Sequence, residues 1–384
     1  MERAYRAALA CLPQMSPLGL PRLLAMTGGA YELWGLMAKK DSWLEKIVGK
    51  EKAELWGSAC RETDPEQVLS GLGKRGIRVI LPGDASLPRG IWTIYDPPAL
   101  LFITGMEAEG REPFVAVVGA RKASSYGKRS AAFLASELAR CGLVVVSGAA
   151  YGIDGHAHRG CLEAGGFTVA VLGCGIDRMY PPEHAGLFER IKESGCLISE
   201  YPPGEEPLPW RFPHRNRIIA GLAQAVVVVE ASEKSGALIT AEFALEEGRE
   251  VLAVPGPIDS PLSRGTHALI QKGAKLVTCV EDILEELQGF QTRFEIASGG
   301  EATDGQPVAR DGVHPRDRTL LALLRELEFR SLLDRLRDGV QSLDRMVELT
   351  GDPPGEILSR LASLAIKGWV TEEPGGKYGI ARSL

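Results

Sequence analysis

No two cysteines of this chain stand in a C-x-x-C arrangement. The seven that it has (11, 60, 141, 161, 174, 196 and 279) are scattered, most in apolar surroundings. They are expected as buried free thiols, which argues against a disulfide framework or a thiolate metal site. The N-terminus lacks the basic start, apolar stretch and cleavage site of a secretory leader. No apolar run approaches the ~20 residues of a membrane span, so a cytoplasmic protein without membrane contact is expected. Excess positive charge is absent as well. With 44 Lys and Arg against 50 Asp and Glu the formal net charge is −6, which excludes a chain coated in basic surface but leaves room for a local basic groove. A dinucleotide fingerprint is missing: the first glycine loop reads Gly119-Ala120-Arg121 rather than GxGxxG, and the second strand ends in Ser147 where an acidic residue would hold a ribose. A P-loop is missing too, since Gly119 and Gly127 are too far apart and Lys128 is followed by Arg129. The GxG of Gly173-Cys174-Gly175 is equally well read as tight strand-to-helix packing. His156 and His158, two apart at the start of a helix, point in different directions and are expected in hydrogen-bonded structural roles. Cys161 and Cys174 have no evident base, and Asp154 and Glu200 are read as capping and ion-pairing groups. No catalytic residue, metal site or cofactor is therefore expected.

What is present is one stretch that organises the rest, Pro113 to Asp154. Phe114 to Val118 is a continuous apolar run of the kind buried on both faces of a parallel sheet, stopping at Gly119. Ala131, Leu134, Ala135 and Leu138 then recur at helical spacing, and Leu143 to Val146 is a second buried strand leading to Ser147, Gly148, Gly152 and Asp154, a helix N-cap candidate. Further strands are expected at Thr168 to Leu172, Leu197 to Ser199, Ala225 to Val229, Val251 to Val254 and Lys275 to Thr278. Helices are expected near 155–164, 183–193, 237–247, 265–272 and 280–287. Alternation at this spacing defines an α/β protein with a doubly wound parallel sheet over 111–288. Before it stand a small helical domain (1–75), with Trp34, Leu36, Trp43, Ile47 and Leu55 as core candidates, and a connector (76–110) packed on the central domain. After it come a linker rich in Gly, Ser, Thr, Asp and Gln (289–314) and a last domain (315–384) patterned as helices with a β-wing.

Ligands of such sheets bind beyond the carboxyl ends of the strands, where loops and helix N-termini present N–H groups to anions. Arg121 follows one strand end, Ser147-Gly148 another, and Ser235-Gly236 with Thr240 a third, so three loops offer donors on one sheet edge. Between Pro207 and Val229 there is no acidic residue, and within that span lies Trp210-Arg211-Phe212-Pro213-His214-Arg215-Asn216-Arg217. Arginines beside aromatic rings are the mixture that grips single-stranded nucleic acid, phosphates by charge and bases by stacking. The plain structural alternative is that the arginines satisfy sheet-edge carbonyls or pair with Glu200 and Glu230.

Val118-Gly119-Ala120-Arg121 with Ser124, Tyr126 and Gly127, then SGAAYGIDGHAH (147–158), VLGCGIDRMYP (171–181), ISEYPPG (198–204), FPHRNRIIAGL (212–222), VVEASEKSGALIT (228–240), VPGPI (254–258) and GTHALIQKGA (265–274) closely resemble the DNA-processing protein DprA (Smf) family, in order through the whole central domain. The resemblance implies an extended Rossmann-like fold, an N-terminal domain of sterile-alpha-motif type and a C-terminal winged helix. It also implies a homodimer that binds single-stranded DNA, shields it during natural transformation and helps load the RecA recombinase, without turnover. Carried over residue by residue, the DNA-binding surface is Arg121, Ser147, Gly148, Gly152, Arg215, Asn216, Arg217, Ser235, Gly236 and Thr240. Departures from the family pattern include Ala120, Ala150, Thr266 and Glu183, the last putting one phosphate contact in doubt. Two rival readings are weighed. A Rossmann-like nucleotide phosphoribohydrolase would need PGGxGTxxE, which Ser235 to Glu242 does not satisfy. A double-stranded DNA regulator would use its winged helix, but from Ser342 to Leu384 the acidic residues (344, 348, 352, 356, 372, 373) outnumber the basic ones (345, 360, 367, 377, 382).

Overall fold

The structure is a computed structural model and describes residues 1–39, 41–287, 341–342, 345, 357, 361, 370–373 and 377–380. The chain divides into two compact units, Met1–Ser298 and Gly299–Leu384. The segments 1–75, 76–110 and 111–288 thus lie together in the first unit.

Residues 1–75 form six helices: α1 (Glu2–Ala10), α2 (Gly19–Thr27), α3 (Ala30–Lys39), α4 (Ser42–Val48), α5 (Lys50–Glu62) and α6 (Pro65–Lys74). Asp41 and Asp64 cap α4 and α6, each carboxylate accepting from the amide two residues on. Of the expected core, Trp34 is buried, but Ile47 and Leu55 face water. Leu33, Met37, Leu44 and Trp56 take the interior instead, in a cluster that continues into Phe102, Leu172 and Leu197 of the sheet.

The sheet has nine strands: β1 (Arg78–Ile80), β2 (Leu101–Gly105), β3 (Phe114–Val118), β4 (Val144–Ser147), β5 (Thr168–Leu172), β6 (Gly195–Ser199), β7 (Ala225–Val228), β8 (Glu250–Ala253) and β9 (Lys275–Leu276), in the order β1-β2-β6-β5-β4-β3-β7-β8-β9. The run from β6 to β9 is parallel. The two β-like runs of the connector do more than pack on this sheet. They pair antiparallel with each other, and β2 pairs antiparallel with β6, so the connector forms the sheet's edge. Between the parallel strands lie α7 (Ser125–Arg140), α8 (Ile153–Glu163), α9 (Ala185–Ser194), α10 (Arg211–Leu222), α11 (Gly236–Glu246) and α12 (Arg264–Gln271), with a last helix at 280–287.

The period of two along β3 sorts its side chains between the layers. Phe114, Ala116 and Val118 share a cluster with Ile218, Ile219 and Leu222 of α10 and Ala237 and Ala241 of α11, whereas Val115 and Val117 share one with α7, α8 and Ile283. Strand order reverses at β3, with β4 on one side and β7 on the other, and at such a switch point the loops after neighbouring strands part and leave a crevice.

In the second unit, Gln341–Ser342, Val370–Glu373 and Lys377–Ile380 form a three-stranded antiparallel sheet. The expected linker and most of the expected winged helix lie outside the described residues. Of the cysteines, Cys60, Cys161, Cys174 and Cys196 are buried as expected, while Cys11 and Cys141 are exposed.

Candidate nucleic-acid interface

The basic segment that the sequence suggests as a solvent-facing groove is an inward-facing helix. Residues 211–222 were not among the expected helices, because Pro213 and the polar residues Arg211, His214, Arg215, Asn216 and Arg217 hide any amphipathic pattern. Pro213 is nonetheless tolerable in a first turn, where an N–H has no intrahelical partner. Every residue of α10 except Phe212 and Pro213 is buried. Such burial requires partners for the charges, and the surrounding loops provide them.

Arg215 is 3% exposed and donates through Nη1 to the carbonyls of Gly148 (2.8 Å) and Val171, and through Nε to Asn216 Oδ1 (3.2 Å). Burial lowers its pKa to about 10 despite the nearby Asp154 carboxylate. Arg217 is 4% exposed and donates from Nη2 to both Glu200 oxygens at 2.6 Å and from Nε to His214 Nε2 at 3.1 Å, with Asp96 Oδ2 3.6 Å away. Both arginines, expected to touch phosphate, are thus engaged with sheet-edge carbonyls and with Glu200. This is the structural alternative raised by the sequence, except that Glu230 is used elsewhere.

Glu230 sits at the N-terminus of α7. Its carboxylate accepts from the Ser124 amide (2.9 Å) and hydroxyl (2.5 Å), while the Ser124 hydroxyl oxygen accepts from Gly127 N and caps the helix. Gly127 is required there, since a methyl group would collide with that carboxylate. Asp154 does the same for the next loop. Rather than capping α8, whose N-cap is Gly152, it is the second helical residue and turns back to accept from the backbone of Ala150 and Gly148. Burial raises its pKa, with Arg215 opposing. In the loops leading into α7 and α8, where nucleotide-binding sheets hold phosphates, backbone amides are therefore taken by the chain's own carboxylates.

The remaining expected site residues divide accordingly. Ser147 is fully buried, its hydroxyl donating to Val117 O at 2.7 Å, and Gly148 is buried beneath Arg215. Gly152 is half-buried with φ 73°, where a side chain would also strike the Ala120 carbonyl. Asn216 donates to Gly236 O at 3.2 Å and so ties α10 to the start of α11, while Thr240 is 2% exposed. Ser235 caps α11 by accepting from Ala237 N, and Gly236 is exposed with open space around it. Arg121 is exposed, and its guanidinium lies 5.1 Å from the centroid of the Phe212 ring. Of the expected set, Arg121 and Gly236 are exposed at the sheet edge, Ser235 and Gly152 are half-buried and the rest are buried.

The structure adds aromatic neighbours. Tyr180, 39% exposed, packs with its ring centroid 5.5 Å from that of Phe212, and Trp210, 48% exposed, lies beside the Arg211 guanidinium. Lys122 is exposed next to Arg121. Tyr180 was missed as a site residue because its partner is 32 positions away, on a helix the pattern did not reveal. The result is a ledge of cation and aromatic rings beyond β3 and β5.

A doubly wound sheet that is parallel from β6 to β9 and edged by antiparallel β1 and β2, with such a ledge at its switch point, defines an α/β protein of the Rossmann-like class. The family profile described as DNA recombination-mediator protein A matches residues 78–288, and the chain belongs to that family. It is 39% identical over 307 residues to Protein Smf of Escherichia coli strain K12, covering 79% of this chain and 78% of that protein. It is 44% identical over 224 residues to the DNA processing protein DprA of Bacillus subtilis strain 168, covering 58% of this chain and 75% of that one. Among solved structures, that of DNA processing protein A from Streptococcus pneumoniae superposes with a TM-score of 0.62 at 38% identity, covering 73% of this chain and 96% of that one.

Proposed function

We propose that this protein binds single-stranded DNA along the carboxyl edge of its sheet and acts in DNA processing as a binding protein rather than by turnover. The observation that carries the reading is the exposed Arg121 guanidinium over the Phe212 ring, with Tyr180 packed against the same ring. A cation beside faces on which bases stack engages any sequence, provided the bases are unpaired. A duplex keeps its bases stacked inside and offers that ledge only phosphates. The loops that lead into α7 and α8 also tell against the phosphoribohydrolase reading, because the Ser124 amide is taken by Glu230 and the Ala150 and Gly148 amides by Asp154. Arg121, Ser235 and Gly236 are the proposed contacts, joined by Phe212, Tyr180 and Lys122. Ser147, Gly148, Gly152, Arg215, Asn216, Arg217 and Thr240 shape the loops beneath.

The names of the relatives, DNA processing protein and recombination-mediator protein, support a role in DNA processing and recombination, and the proposal extends it to protection of incoming single strands in transformation, as a homodimer, with the RecA recombinase as partner. In the same reading residues 1–75 are a sterile-alpha-motif-like domain and 315–384 a winged helix serving partners or regulation. Titration with single- and double-stranded DNA of equal length across a range of salt tests the core of the proposal. Tight, salt-sensitive preference for the single strand is the expected outcome, and equal or stronger binding of the duplex refutes it.

A further inference from the structure

We propose that the DNA track continues from the Phe212 ledge across β7 to β8, where Tyr126 and Ile258 form a second apolar step for a base. The proposal rests on the single-strand reading above and extends it to residues that nothing in that reading uses. Tyr126, in the first turn of α7, is 38% exposed, and its hydroxyl donates to the Pro255 carbonyl at 2.8 Å, tying that turn to the loop after β8. Ile258, on that loop, is 91% exposed.

A lone exposed apolar side chain is ordinary on a mobile tip and needs no explanation there. This loop is braced. Ser260 N donates to Pro257 O and Ser263 N to Ser260 O, each at 3.1 Å, and the loop is fixed to the one after β7 by Ala231 N donating to Leu262 O at 2.8 Å. Pro257 and Pro261 stiffen it further. The isoleucine is therefore held out in one place.

Charge selects the occupant. On the loops after β3, β7 and β8 and the helix turns that follow them, Arg121, Lys122, Lys128, Arg129, Lys234 and Arg264 are exposed. The exposed acids there are Glu233 and Asp259, and Glu230 is buried against Ser124. A basic rim around an apolar step fits a polyanion with hydrophobic faces, which a single nucleic-acid strand is. From β5 to β8 the sheet order is β5-β4-β3-β7-β8, which at about 4.8 Å per strand spans about 19 Å. At a stacked spacing of about 3.4 Å per nucleotide that distance corresponds to roughly six nucleotides.

The test uses the full chain with oligothymidylates of increasing length and with strands carrying one 5-iodouracil at successive positions. Affinity is expected to rise with length until a strand reaches both steps. With long strands Tyr126→Ala should weaken binding roughly five- to a hundred-fold, as for loss of one stacked base, and Ile258→Ser by less, whereas Tyr126→Phe should retain most of the affinity. Irradiated iodouracil should cross-link to Tyr126 when placed roughly six nucleotides from the position that cross-links to Tyr180 or Phe212. If Phe212→Ala weakens binding while Ile258→Ser and Tyr126→Ala bind every length as the wild type does, and no cross-link maps to Tyr126, the second step is refuted and the ledge stands. If the unmodified protein binds no single strand, both readings fall together.

Discussion

At the scale of single residues, the same side-chain type serves opposite ends depending on where the fold puts it. Arg121 meets water and a ring, so Arg121→Ala should leave the melting temperature unchanged and lower the slope of log affinity against log salt by ~0.7, one single-strand phosphate contact. Arg217 is locked to Glu200 inside the protein. Arg217→Ala should cost about 3–5 kcal/mol of stability by leaving the Glu200 charge buried and unpaired, with the salt slope of the folded fraction unaltered. Parallel thermal melts and salt titrations separate the two, and a salt-slope loss for Arg217→Ala without destabilisation would reverse the assignment. His158 supplies a pH handle. Thr168 Oγ1 donates to Val145 O, so it accepts from His158 Nδ1 at 2.7 Å, and the buried Nε2 has no partner. Burial, followed by the nearby His184, Arg159 and Arg215, pushes the pKa down from 6.5 to about 3. The folded state thus refuses a proton that the unfolded chain takes up, and stability present above pH 6.5 is lost as pH falls toward 3. At pH 5 the loss is about 2 kcal/mol, seen as roughly 4–8 °C in melting temperature, and His158→Asn should flatten that part of the profile.

At the scale of elements, the helices hold one another through their ends as much as through their faces. The start of α7 is fixed by Glu230, the residue two beyond the end of β7, so α7 and the loop before α11 are positioned by one carboxylate. Gly127→Ala should force that carboxylate out and destabilise the protein by about 1–3 kcal/mol, as overpacking does. The loss should be visible as a lower denaturant midpoint. Gly236→Ala, at the exposed start of α11 with nothing within 4 Å of where the added methyl group would stand, should leave the midpoint within ~0.5 kcal/mol of the wild type.

At the scale of the whole molecule, every side chain proposed to meet DNA lies in the unit Met1–Ser298. A chain ending at Ser298 should therefore keep most of its single-strand affinity, measured by the same salt titration. Abolished binding by a folded 1–298 chain would place the main contact in the second unit instead.

The continuous apolar runs of β3 to β8 determined the parallel sheet by themselves, because strands buried on both faces leave no other composition. Arg121 and the start of α11 were legible for a related reason: glycine and serine at strand ends are where a chain opens toward ligands. What tertiary structure alone decided is the direction in which α10 faces. Its polar residues carry no periodicity to mark an inner side, and burial of Arg215 and Arg217 became affordable only when the Val171 carbonyl of β5, the Gly148 carbonyl just after β4 and the Glu200 carboxylate just after β6 arrived. Those partners are 67, 44 and 17 residues away in the chain. The meeting of Tyr180 with Phe212 and of Glu230 with Ser124 is likewise a product of strand order, which places distant loops side by side at one sheet edge.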